Sequence, residues 1–213
     1  MQIISTNIAQ PKIVSWNGQE ISTGIFKKPT QEPICLQKEV VKGDTVSDRK
    51  VHGGIYKACY LFSADYYPYW KNLYPDLDWD YGMFGENLTV SGLDETQLCI
   101  GDIYKIGTAL VQVIQPREPC FKFGIKFGTQ QVLKQFIQYG RPGTYVSILE
   151  EGHVTLNDKM ILAKRSENGL TIAQLFHLYY ARDKDQELLK LAVNNEVLPE
   201  RKRVKLMAFV NKN

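Results

Sequence analysis

The sequence predicts a mainly β fold with peripheral helices: a β-barrel domain followed by a small three-helix subdomain. Short runs of strand-forming residues, separated by Gly and Pro turn signals, occupy the chain up to about residue 165. Three helical patterns follow in the remaining residues. We therefore assign residues 1–165 to the barrel domain and residues 166–213 to the helical subdomain. Such short strands favour a closed or nearly closed barrel over a sandwich, although the pattern alone does not decide between them.

The strand predictions rest on alternation and on turn residues. Residues 102–106 alternate between apolar and polar side chains, as a half-buried strand does. Residues 111–114 follow the turn at Gly107, and residues 145–149 follow a Pro-Gly turn.

Two helices interrupt the predicted strands. Residues 64–73 form the first, with Pro68 tolerated in its first turns. The second begins near Thr129, which can cap it. Its apolar side chains recur on one side at Val132, Leu133, Phe136 and Ile137.

The helical subdomain begins with Thr171 as a predicted cap. The apolar residues of its first helix recur at Ile172, Leu175, Phe176 and Tyr179. A second apolar stripe comprises Leu188, Leu189, Leu191 and Ala192. Pro199 fits the first position of a third helix, whose apolar residues are Val204, Met207 and Ala208. We expect so small a bundle to dock on the barrel.

Composition narrows the class of protein. The net charge of +3 is too small to predict nucleic-acid binding, and the basic residues of the tail are typical of a solvated helical face.

No apolar run approaches the ~18 residues of a membrane span. The first residues lack the cationic start and apolar core of a secretory leader. The four cysteines form no Cys-x-x-Cys pair, so we expect free thiols in the reducing cytoplasm.

Residues 51–58 are the first segment that indicates chemistry. Here Gly53 and Gly54 stand between His52 and Lys57. Two glycines let the backbone approach a ligand closely, and backbone N–H groups with a lysine favour an anion. A plain tight turn with an exposed lysine is the alternative interpretation.

Residues 82–89 are the second segment. Two glycines flank an aromatic residue, and Glu86 and Asn87 then open a strand. Asn87 offers both a donor and an acceptor, which suits a polar heterocycle or the bracing of a loop. Both interpretations stay open at this point.

Residues 115–123 are the most informative segment. They follow a predicted strand, and Pro116 and Pro119 stiffen the backbone before Cys120. Arg117 and Lys122 create the electropositive surroundings that favour a thiolate. A thiolate is the form that binds a soft metal or reacts with an electrophilic sulfur. The alternative is a buried, inert cysteine.

The remaining three cysteines have apolar neighbours in the sequence and no nearby cation. We therefore predict that they pack in the interior: Cys35, Cys59 and Cys99. No histidine and cysteine spacing matches a known zinc site, and no Walker or Rossmann glycine pattern occurs.

In this order, the segments resemble the MOSC family, named for the C-terminal domain of molybdenum cofactor sulfurase, and within it the compact bacterial YiiM type. The matching residues are Gly43-Asp44, Asp48, His52-Gly53-Gly54, Lys57-Ala58, Gly85 to Thr89, Gly92-Leu93, Ile100 to Asp102, Gln115 to Arg117, Pro119-Cys120, Gly128, Gly140-Arg141 and Gly143. The likeness spans residues 15–165, and the tail is similar to the three-helix subdomain of that type.

The resemblance implies a β-barrel-rich fold that binds the molybdenum cofactor, a pterin-dithiolene (molybdopterin). It makes Cys120 the catalytic residue and the protein ligand to the metal. The implied cofactor-binding residues are His52, Gly53, Gly54, Lys57, Asn87 and Arg117. Arg and Lys side chains suit its phosphate, and a thiolate suits molybdenum.

The resemblance also implies an enzyme, an oxidoreductase that reduces small N-hydroxylated compounds such as hydroxylamino bases and amidoximes. Electrons would come from a separate donor protein, because no flavin, haem or iron–sulfur motif is recognisable. One alternative is a sulfur carrier that holds a persulfide on Cys120. Another is a regulatory protein whose basic tail binds nucleic acid, although no recognition helix is identifiable. A homodimer is an ordinary assembly for a chain of this size.

Overall fold

The computed structural model describes residues 1–45 and 53–210. In chain order its strands are β1 (Gln2–Ile8), β2 (Lys12–Trp16), β3 (Gln19–Thr23), β4 (Lys28–Thr30), β5 (Ile34–Gln37), β6 (Val40–Val41), β7 (Cys59–Ser63), β8 (Leu88–Ser91), β9 (Ile103–Ile106), β10 (Ala109–Pro116), β11 (Thr144–Glu150), β12 (Gly152–Val154) and β13 (Met160–Lys164). The helices are α1 (Tyr67–Leu73), α2 (Phe121–Phe127), α3 (Gln131–Tyr139), α4 (Ile172–Tyr180), α5 (Gln186–Val193) and α6 (Glu200–Met207). None of the helices in the described ranges is long and apolar enough to cross a membrane.

An eight-stranded sheet carries the fold, in the order β13-β9-β10-β11-β7-β8-β1-β4. Its neighbouring strands are antiparallel except β7 and β8, which pair in parallel. A parallel pair needs a crossover connection, and α1 with the following loop supplies it. That crossover places the Gly82–Glu86 segment directly before β8, at one end of the sheet.

The predicted mainly β domain followed by helices is confirmed. The sheet also curls so that its β13 end returns towards the start of β1. There, Ile3 donates a backbone hydrogen bond to Asp158 (2.9 Å), and Gln2 and Lys159 form an isolated bridge. The described strands do not form a closed barrel, because this contact consists of a few backbone hydrogen bonds and one isolated bridge and not of a continuous ladder.

An aromatic cluster fills the space between the sheet and helices α1 to α3. Phe62 of β7 stacks on Phe84 with ring centroids 4.0 Å apart. The other buried rings of the cluster are Tyr60, Tyr67, Trp70, Phe123, Phe127, Phe136 and Phe176. Rings of this size bury large apolar areas, so the cluster positions α2 firmly against the end of β10.

The C-terminal helices share the main core with the sheet, since Leu175 of α4 and Leu189 of α5 are fully buried in it. Thr171 caps α4 as predicted, through a capping box with Gln174. The predicted face of α6 is wrong: Val204 and Met207 are exposed, and Leu206 is the buried residue. The division of the chain at residue 165 stays a prediction.

Candidate functional site

The end of β10 leads directly into the candidate site. The strand ends at Pro116, and Cys120 stands at the N-cap of α2 with an extended backbone (φ −128°, ψ 169°). The sequence interpretation missed α2. Two features of the sequence could have predicted this helix: Phe123 and Phe127 at i, i+4 spacing, and Gly128 directly after them. In the structure both rings are buried, and Gly128 ends the helix in the left-handed conformation (φ 71°).

A cleft that is partly open to solvent lies at this end of the sheet. Four predicted site residues line it together: Lys57, Asn87, Arg117 and Cys120. Gly53 and Gly54 are not among its lining residues, and His52 lies outside the described residues. Further lining residues bear on the chemistry but were not predicted as site residues, although Asp44 was among the residues of the family resemblance: Lys27, Asp44, Tyr60, Glu118 and Tyr145.

Arg117 is the most unusual side chain of the cleft. It is 6% exposed, and its guanidinium carbon lies 5.1 Å from the centroid of the Tyr60 ring and 4.9 Å from that of Phe123. Its Nη1 atom has no hydrogen-bond partner among the described residues. A guanidinium stays charged at any ordinary pH. A buried cation with a donor left over is a ready site for an anion.

Lys57 adds a second cation to the cleft. It ends a short 3-10 turn, Ile55–Lys57, that begins at Gly54, whose φ of 84° favours glycine. This geometry supports the tight-turn interpretation for Gly54. Burial lowers the pKa of Lys57 to about 8, and the charge of Arg201 adds to that effect.

Asn87 lies in a buried network that braces the cleft wall. Its Oδ1 accepts a hydrogen bond from the backbone N–H of Tyr60 (3.2 Å). Its Nδ2 donates to the carbonyl of Asn7 (3.3 Å) and to Oδ2 of Asp44 (2.9 Å). Asp44 also forms an ion pair with the buried Lys27. The donors and acceptor of Asn87 are therefore used within the protein, which favours the bracing interpretation of this residue.

This chain matches a known protein family, and that family is consistent with the site described above. The model of the MOSC domain matches residues 48–161. The uncharacterized protein YflK of Bacillus subtilis is 34% identical over 96% of this chain and 92% of its own length.

The chain belongs to the MOSC domain family. It is of the YiiM type, since the crystal structure of YiiM from Geobacillus stearothermophilus superposes with a TM-score of 0.82 at 31% identity, covering 99% of both chains. A protein named reductase from Gibberella moniliformis is 33% identical to this chain. The matched region covers 81% of this chain and 31% of that protein. MOSC domains are associated with the molybdenum cofactor, so this chain has a molybdenum-cofactor-associated function.

The cysteines of this MOSC chain have different surroundings. Cys120 is half-buried in the cleft, whereas Cys59 is buried and burial raises the pKa of its thiol far above the usual range. Cys35 and Cys99 are only partly buried. The prediction of interior packing therefore agrees with Cys59 and is wrong in degree for Cys35 and Cys99, and folding also brings Nη1 of Arg165 to 3.8 Å from Sγ of Cys99.

The donor set of the MOSC cleft fits a molybdenum-pterin group. Nη1 of Arg117 has no hydrogen-bond acceptor among the described residues, and the phosphate of the pterin is an acceptor of the charge that a guanidinium favours. The Cys120 thiol lies in the same cleft and supplies the soft sulfur that such a metal binds. Both requirements of the group are met by side chains of one cavity.

Proposed function

We propose that this chain is a molybdenum-cofactor-binding oxidoreductase that reduces small N-hydroxylated compounds, with the Cys120 thiolate as the protein ligand to the metal. One observation carries the proposal: Arg117, a buried cation with an unpartnered Nη1, lines the same cleft as the half-buried Cys120. The similarity to a protein named reductase supports the reaction type.

The cations of the cleft would bind the phosphate of the cofactor. Arg117 packs against the faces of Tyr60 and Phe123, so its guanidinium is ordered before any ligand arrives. Preorganised donors bind more tightly because little ordering remains to be done on binding. Lys57 lines the same cavity and adds a second positive charge.

When bound, the cofactor supplies the two-electron chemistry that removes oxygen from a nitrogen atom. Reduction of an N-hydroxyl group to an amine releases water and consumes two electrons and two protons. Lys57 is suited to hold one of these protons on Nζ, because its pKa of about 8 is close to neutral pH. The electrons would come from a separate donor protein, which is part of the proposal.

The deciding measurement is the molybdenum and pterin content of protein produced in a host that makes the cofactor. We expect near-stoichiometric molybdenum in the wild type. We expect it to be lost or labile in Cys120→Ala and strongly reduced in Arg117→Met. Cys35→Ala removes a partly buried thiol that does not line the cleft and serves as the matched control. Loaded protein is then assayed with amidoximes and hydroxylamino bases, using a reduced viologen dye as the electron source.

The alternative, a sulfur carrier, gives a different result in the same samples. It requires sulfane sulfur on Cys120 and no molybdenum in either the wild type or the variants. That pattern would overturn the reductase proposal and support persulfide transfer from Cys120.

A further inference from the structure

An ion pair connects helix α6 to a residue that lines the cleft. Lys202, in the first turn of α6, pairs with the carboxylate of Glu118. Glu118 lies between Arg117 and Cys120 in the chain and lines the cleft. The two partners are 84 residues apart in sequence, so this contact connects the C-terminal helices to the segment that bears the thiol.

Lys202 is held tightly in this position. Only 12% of its side chain is exposed, compared with 42% for Glu118. Its Nζ also lies 4.7 Å from the centroid of the Tyr179 ring of α4. A cation over an aromatic face and beside a carboxylate is stabilised by both, which makes this lysine a fixed part of the surface.

The two carboxylates among the described lining residues are both neutralised by lysines. Asp44 pairs with Lys27 deep in the cleft, and Glu118 pairs with Lys202 at the side of α6. Glu118 also raises the pKa of Lys57, so the two charges are close enough to interact. Without Lys202, the cations of the cleft would be among the remaining attractive partners of the carboxylate.

We propose that Lys202 is a positioning residue: its ion pair keeps the Glu118 carboxylate on the α6 side of the cleft, where it does not compete with an anionic ligand for the cations. The inference rests on the proposed function, since it concerns the same phosphate-binding side chains. It assigns the C-terminal helices a role in the electrostatics of the site.

The first test concerns the position of Glu118 and does not depend on any ligand. Zero-length carbodiimide coupling joins a carboxylate to a lysine in direct contact, and peptide mass spectrometry identifies the pair. In the wild type we expect the Glu118–Lys202 product. In Lys202→Met we expect coupling to shift to Lys57. If Glu118 couples to no lysine of the cleft in Lys202→Met, the inference is overturned.

The second test measures binding of inorganic phosphate to cofactor-free protein by calorimetry at fixed ionic strength. Lys202→Met should weaken binding by about 5-fold, the scale of one partly screened charge interaction. Adding Glu118→Gln to that variant should restore wild-type affinity, and Lys202→Arg should retain it. If Lys202 had only a structural role, adding Glu118→Gln would not restore phosphate binding, because α6 lacks its contact with residue 118 in the double variant as well.

Lys205→Met is the matched control, because it removes one exposed positive charge from the same helix and leaves Glu118 paired. It should bind phosphate like the wild type. Equal weakening in Lys205→Met and Lys202→Met would overturn the inference in favour of a general effect of net charge. Failure of the wild type to bind phosphate would instead count against the proposed function, while the coupling result still decides where Glu118 lies.

Discussion

Asn87 donates a side-chain hydrogen bond of 2.9 Å to Asp44 across 43 residues of sequence. The same carboxylate accepts the backbone N–H of Ala9 at 2.7 Å and pairs with Lys27. Three separate segments therefore meet at one buried acid on the cleft wall. An arrangement of this kind is sensitive to the loss of any one partner, because the others are left buried without a hydrogen bond.

Asn87→Ala should lower the free energy of unfolding by about 2–3 kcal/mol, because several buried groups lose their partner at once. Urea unfolding followed by circular dichroism measures this change. Asn72→Ala, at an exposed position of α1, is the control and should change stability by less than about 0.5 kcal/mol. Equal stability of the two variants would show that the network contributes little.

Arg117→Met should change the free energy of unfolding by less than about 1 kcal/mol, because an apolar chain replaces a buried charge that lacks a full set of partners. Phosphate binding, in contrast, should be lost. Calorimetry and urea unfolding of the same samples separate the two effects. Lys134→Met, on the exposed face of α3, controls for the loss of one charge. A large loss of stability in Arg117→Met would indicate that this guanidinium is mainly structural.

Lys126 should make stability depend on pH. Its Nζ donates to the carbonyls of Gly82 (2.6 Å) and Ile25 (3.2 Å), and burial lowers its pKa to about 7. In the unfolded chain a lysine titrates near its ordinary value of ~10.4. Between these two pKa values the unfolded state binds more protons at this group, so stability rises with pH in that window.

Between pH 7 and pH 9.5, the wild type should therefore gain about 2 kcal/mol relative to Lys126→Met, allowing for partial screening by solvent. Urea unfolding at the two pH values measures the gain. Lys71→Met, at an exposed lysine of α1, should show no such difference from the wild type. A pH-independent gap between the wild type and Lys126→Met would mean that the buried ammonium is well solvated.

The cysteines should differ in their reaction with iodoacetamide. Cys120 is half-buried in an open cleft, whereas Cys59 is fully buried with a raised thiol pKa. In the native protein we expect alkylation of Cys120 and none of Cys59 until the chain is unfolded, since the thiolate is the reactive form. Peptide mapping by mass spectrometry identifies the modified residues. Alkylation of Cys59 at the rate of Cys120 would contradict the assignment of their surroundings.

Much of the local structure could be predicted from neighbouring residues. The alternation of side chains predicted β9, and Thr171 predicted the start of α4. Both could be predicted because each signal depends only on residues a few positions apart. The ordered motifs also led to the MOSC family. Through that resemblance they indicated Lys57, Asn87, Arg117 and Cys120 as site residues, and all four line one cleft.

The partners of these side chains could not be predicted. Sequence patterns gave no reason to pair Lys27 with Asp44 or Lys202 with Glu118. Nor did they distinguish an Asn87 that braces the wall from one that faces a ligand. Such contacts depend on how the sheet curls and where α6 docks, because burial and charge pairing act between groups that only the folded chain brings together. Local patterns thus determined which residue types reach the site, and packing between distant segments determined which charges are neutralised and which, like Arg117, keep a donor without a partner.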